Sequence, residues 1–70
     1  MVQPKYLEIL DALRSRCSSL AIGAKLAPER ALAEEFGVSV MTVRHSLAKL
    51  VTEGWVKKTP GSGTYVSRPT

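Results

Sequence analysis

Three residues, Gly37-Val38-Ser39, separate two stretches of helical pattern, and this narrow gap constrains the fold more than any other feature of the chain. Gly37 suits the left-handed residue that closes a helix, and Ser39 supplies the side-chain oxygen that opens the next one. A connection this short sets the angle between its helices. The second of them is expected over about Val40 to Glu53, ended by Gly54, with Val43, Leu47, Leu50 and Val51 as its buried stripe. Met41, Arg44, His45, Ala48 and Thr52 fall on the opposite face. A helix held by one face, with Thr42, Arg44 and His45 near its start, is what a helix-turn-helix offers to the DNA major groove.

Upstream, Met1 to Pro4 reads as a short tail, with Pro4 at or just before the first turn of a helix that begins near Lys5. Tyr6, Ile9, Leu10, Leu13, Cys17 and Leu20 form its apolar stripe. A further helix is expected over Pro28 to Phe36, with Leu32, Ala33 and Phe36 toward the core. Pro28 at its first position would make Ala27 the capping residue, a poor cap because alanine has no side-chain oxygen, while Glu29 interacts favourably with the helix dipole. Arg30 projects from the first turn. Beyond Gly54, the β-rich runs Trp55 to Thr59 and Thr64 to Ser67 flank Pro60-Gly61-Ser62-Gly63 and predict a hairpin. Two strands alone are marginal in water, so Trp55, Val56, Tyr65 and Val66 should pack on the helices, with Lys25-Leu26 as a third strand. The expected fold class is mainly α with a small β-hairpin (α+β): a winged helix-turn-helix of three helices and a C-terminal wing, one domain over residues 1–70.

Seventy residues are near the size at which one core is only marginally stable. The formal net charge is +4, and it is unevenly placed: residues 1–35 hold five basic and five acidic side chains, residues 36–70 five basic and one acidic. The second half therefore favours a polyanionic partner. The single cysteine, Cys17, permits no internal disulfide, falls on the apolar side of the first helix as a small core residue, and favours a cytoplasmic setting. No apolar run approaches a membrane span or a signal-peptide core. Catalytic constellations, metal sites and cofactor loops are all missing from the pattern, so no enzyme, metal or cofactor is expected.

The run from Gly23 to Leu47, Gly-Ala-Lys-Leu-Ala-Pro-Glu-Arg-Ala-Leu-Ala-Glu-Glu-Phe-Gly-Val-Ser-Val-Met-Thr-Val-Arg-His-Ser-Leu, with Glu53-Gly-Trp-Val and Gly61-Ser-Gly-Thr-Tyr-Val, resembles the DNA-binding domain of GntR-family bacterial transcription regulators over about Pro4 to Val66. The resemblance implies a domain that binds a short palindromic DNA operator as a homodimer, as the N-terminal part of a longer regulator whose C-terminal domain senses a small-molecule effector. It implies DNA contacts by Arg30, by the helix-opening residues Val40, Met41 and Thr42, by Arg44, and by Gly61, Ser62 and Gly63 in the minor groove; the capping Ser39 is a further candidate contact beside them. Two departures stand out. The usual Leu-Pro-Ser-Glu-Arg is here Leu26-Ala27-Pro28-Glu29-Arg30, without the Ser cap, and the Arg common after the turn's Ser is here Val40. Valine can pack on a thymine methyl but cannot donate to a guanine edge, which favours an A·T pair or indifference opposite it.

Plainer roles compete with each of these. Arg44 placed elsewhere would be a solvated helix arginine, but here its guanidinium can donate two bonds to guanine or phosphate. His45 and Thr42 are either DNA contacts or exposed helix surface. Lys57 and Lys58 are solvated wing residues of which at least one, assigned as Lys58, pairs with phosphate. The competing function is a winged helix that binds protein or structured RNA. Such a module would expose an apolar patch on the third helix, where only Met41 and Ala48 are apolar, so DNA is favoured.

Overall fold

Helices α1 (Lys5–Ser19), α2 (Glu29–Phe36) and α3 (Val40–Glu53) precede strands β1 (Val56–Thr59) and β2 (Gly63–Val66) in the computed structural model, which describes residues 5–69. The expected tail over residues 1–4 lies outside them. α3 is the central element and packs on α1, α2 and β1. Its Val43, Leu47 and Leu50 meet Ile9, Leu10, Leu13 and Cys17 of α1, Leu32 and Ala33 of α2, and Leu26, Val56 and Val66 in one buried cluster. Each fully buried leucine contributes roughly 1.5–3 kcal/mol of transfer free energy, so this cluster holds the domain together.

The three-residue turn has the geometry its composition implies. Gly37 adopts φ 67° and ψ 37°, its N–H donates to the Glu34 carbonyl at 3.3 Å, and the Val38 N–H donates to the Ala33 carbonyl at 3.0 Å. This pair of bonds is a Schellman closure, which requires the left-handed conformation that glycine adopts at least cost. Ser39 caps α3, its Oγ accepting the Thr42 N–H at 3.2 Å.

Two expectations about the helices are corrected. α2 begins at Glu29, because Pro28 has φ −59° and an extended ψ of 155° while its carbonyl already accepts the Leu32 N–H at 3.0 Å. Pro28 is therefore the capping residue, without a side-chain bond, and Ala27 lies outside the helix. On α3, Val51 is 40% exposed, whereas Ser46 is fully buried. Along the edges of the core, Tyr6, Leu20, Phe36 and Trp55 are half-buried.

β1 and β2 pair antiparallel, with Val56 opposite Val66 on the core side and Thr59 opposite Gly63 beside the tip. The third strand is reduced to one bridge, Lys25 to Tyr65, supported by 2.8 Å backbone bonds from Gly23 to Val66, from Val66 to Ala24 and from Leu26 to Thr64. These bonds tie the wing to the segment between α1 and α2, which a bare hairpin would lack.

Candidate nucleic-acid interface

With Val43, Leu47 and Leu50 committed to the core, the first two turns of α3 present Met41, Arg44 and His45 outward. Met41 is 65% exposed. His45 stacks on the Tyr6 ring of α1, with centroids 4.3 Å apart and planes 14° from parallel, which limits its rotation while leaving it at the surface. Ser39 is exposed, and its Oγ lies 3.0 Å from the Thr42 hydroxyl, so both are already engaged in capping. Val40 is half-buried and packs on the core beside Val38. Only part of its side chain remains for any base, and Met41 is the exposed apolar group of the first turn. Arg30 is exposed on α2 and forms no ion pair among the described residues.

At the wing, the Ser62 N–H donates to the Thr59 carbonyl at 3.0 Å, with Pro60 and Gly61 central and Gly61 at φ 75°, the signature of a type II turn. The Ser62 and Tyr65 hydroxyls are hydrogen-bonded. Gly61 and Ser62 form the exposed tip. Gly63 is half-buried at φ 147°, and a Cβ there would stand 2.7 Å from Cε of Lys25, whose aliphatic stem lies across it. Lys25 thus places a cation beside the tip, a position that sequence spacing does not reveal.

The charged groups of three elements converge on Glu29 at the start of α2. Its Oε1 accepts from Arg44 Nη2 at 3.1 Å and Nε at 3.3 Å, and its Oε2 accepts from Lys58 Nζ at 3.2 Å. The hydrogen bond from Arg44, and then that from Lys58, hold the Glu29 carboxyl below the usual carboxylate range against the opposing effect of partial burial. An open groove of about 490 Å³ runs beside this cluster, between the start of α2 and the wing, and Lys25, Glu29, Lys58 and Gly61 are among the residues lining it. Sequence reading assigned Glu29 only a dipole effect. Arg44 lies fifteen residues from it in sequence and Lys58 twenty-nine, so no helical periodicity could pair them.

The surface offers fork-shaped and ammonium donors, hydroxyls and small residues, a set suited to anions and base edges. It offers little for covalent chemistry. Cys17 is fully buried, and burial pushes its thiol up, with Arg68 and Arg16 partly opposing the shift. Among the described residues no group of three His, Cys, Asp or Glu could hold a metal ion, and no helix is long and apolar enough to cross a membrane.

The family model described as bacterial regulatory proteins, gntR family, matches residues 5–66. The chain is similar to the HTH-type transcriptional repressor NagR of Bacillus subtilis strain 168, with 41% identity over 68 residues that make up 94% of this chain and 28% of that protein. It is also 41% identical over 68 residues to the arabinose metabolism transcriptional repressor of Geobacillus stearothermophilus, covering 94% of this chain and 19% of the relative. The chain therefore spans less than a third of either. Among solved structures, AraR(DBD) in complex with operator ORE1 is similar at a TM-score of 0.88 and 29% identity, covering 96% of this chain and 84% of that one.

Proposed function

Because the chain belongs to the gntR family of bacterial regulatory proteins, a family of regulators and not of enzymes, we propose that it binds double-stranded operator DNA with sequence preference. In this reading α3 lies in the major groove and the Pro60 to Gly63 tip reaches the adjacent minor groove. The observation that carries it is the division of α3, one face sealed into the core and the other presenting Met41, Arg44 and His45, with Arg44 joined through Glu29 to Lys58 of the wing. Arg44 reads a guanine edge, Met41 packs on a thymine methyl, and Arg30 and Lys58 hold phosphates. Ser39, Thr42 and His45 border the backbone, Val40 contributes the exposed part of its side chain, and Gly61, Ser62 and Gly63 admit close approach to the minor groove.

That two relatives are named as transcriptional repressors supports a regulator that represses transcription in the bacterial cytoplasm, and both are several times longer than this chain. Dimerisation on a palindromic operator and effector sensing would then belong to the whole protein, two linked domains gaining affinity through effective concentration.

Titrating a duplex selected from randomised sequences at several salt concentrations tests the reading. The logarithm of the association constant should fall linearly with log salt, by about 0.9 per phosphate contact. Arg44→Ala should cost about 1–3 kcal/mol at one base pair, whereas Lys58→Ala should weaken all duplexes alike and lower the slope by about one unit. A flat salt dependence would point to a protein partner and overturn it.

A further inference from the structure

Arg44 and Lys58 belong to different elements, α3 and β1, yet both are bound to one carboxylate. The Glu29 side chain is 25% exposed, between an arginine at 53% and a lysine at 42%, so the acid is the most sheltered member of the three. Building on the DNA-binding reading, we propose that Glu29 is a positioning residue that sets sequence discrimination: it orients Arg44 for base reading and cancels one of the two positive charges that would otherwise hold any phosphate.

The geometry explains both effects. Nε and Nη2 of Arg44 point to the same carboxylate oxygen, which fixes the plane of the guanidinium from its inner side. The outer end stays available: among the described residues Nη1 faces only the weak acceptor Met41 Sδ at 3.7 Å, and Nη2 has a second hydrogen. Two parallel bonds to guanine O6 and N7 can therefore form without breaking the bond to Glu29. A free arginine would lose more rotamer freedom on reaching the same pose and would be equally satisfied by a phosphate. Lys58 Nζ likewise keeps two donors after pairing with Oε2. The three side chains together carry one positive charge, not two, and so attract the DNA backbone less at every sequence.

The test compares wild type, E29Q and E29D on a selected duplex and on a random-sequence duplex, at several salt concentrations. E29Q keeps the size and one acceptor but removes the charge. It should bind random DNA several-fold more tightly, steepen the salt slope by about 0.9, and lower the specific-to-random ratio by about tenfold. E29D keeps the charge but withdraws it by one methylene, so it should lose discrimination while retaining the wild-type salt slope. This variant decides the matter if E29Q unfolds. Wild-type discrimination in both variants would overturn the role of Glu29 while leaving DNA binding intact. A wild-type chain without salt-dependent duplex binding would overturn the DNA reading and this inference with it.

Discussion

Ser46 is a polar side chain in a place that an apolar one would be expected to fill. Its hydroxyl lies 2.9 Å from the Tyr6 carbonyl of α1 and 3.2 Å from the Thr42 carbonyl of α3, so the first turn of α1 is fastened to the middle of α3 by a bond the core shields from water. At 100° per residue Ser46 and Val51 flank the stripe made by Val43, Leu47 and Leu50 on opposite sides, about 65° and about 75° from its centre, so helical angle alone does not choose between them. Docking decides: the Ser46 edge of α3 meets α1, where the Tyr6 carbonyl accepts its hydroxyl, and the Val51 edge is left at the surface. Ser46→Ala should therefore destabilise the domain by about 1 kcal/mol through the lost bond. Ser46→Val should cost about 1–3 kcal/mol, because branched bulk enters a filled space. Urea unfolding of the two variants checks this, and a Val variant as stable as wild type would show that the site has room.

At the scale of the element, the ends of the helices differ in how they are closed. α3 has a serine cap at one end and a Schellman closure at Gly54 at the other. α2 starts without a side-chain cap, and since Ala27 lies outside the helix, a serine at that position cannot supply one. α1 ends on a side chain from far along the chain. Arg68 Nη1 donates to the Cys17 carbonyl at 2.8 Å and to that of Ser67 at 2.9 Å, while Nη2 donates to Leu20 at 2.6 Å and Ser18 at 3.3 Å. Its guanidinium also lies 5.9 Å from the Trp55 ring centroid. A cation on the last carbonyls of a helix satisfies orphan acceptors and suits the negative end of the dipole. Arg68→Ala should lower stability by about 1.5–3 kcal/mol, and Arg68→Lys should recover only a minor part because an ammonium cannot reproduce the fork. Thermal unfolding of both variants is the measurement. A lysine variant as stable as wild type would mean that charge alone suffices.

For the whole molecule, ion pairs join elements as well as the core does. Glu35 of α2 meets Arg16 of α1, Glu29 joins α2 to α3 and β1, and Arg14 holds Glu53 at 2.9 Å, closing α1 onto the end of α3. Hydrogen bonds from Arg16 and Arg44 respectively hold the Glu35 and Glu29 carboxyls below their ordinary value. A carboxyl depressed in the folded state contributes stability that is fully present above its unfolded pKa and is lost as pH falls through the folded one. The thermal midpoint should therefore hold from neutrality down to the ordinary carboxylate range near ~4.3 and drop below it. An E29Q/E35Q double variant should show a shallower drop. An unchanged pH profile in that variant would assign the acid sensitivity to other groups.

The local features were legible because their causes are local. A glycine that closes a helix, a serine that caps the next and an apolar period of 3.6 act over four residues or fewer, which is why the turn, the limits of α3 and the hairpin follow from the residues alone. The outward set of Met41, Arg44 and His45 follows from the same period. What needed the tertiary structure were the choices between neighbours in three dimensions: Ser46 over Val51 in the core, Val40 turned partly inward, Lys25 across Gly63, Arg68 at the end of α1, and Glu29 between Arg44 and Lys58. These contacts join residues distant in sequence or depend on how helices pack. Charge and hydrogen-bonding capacity are written in the residue types, but which donor meets which acceptor is decided only when buried stripes dock and bring their edges together.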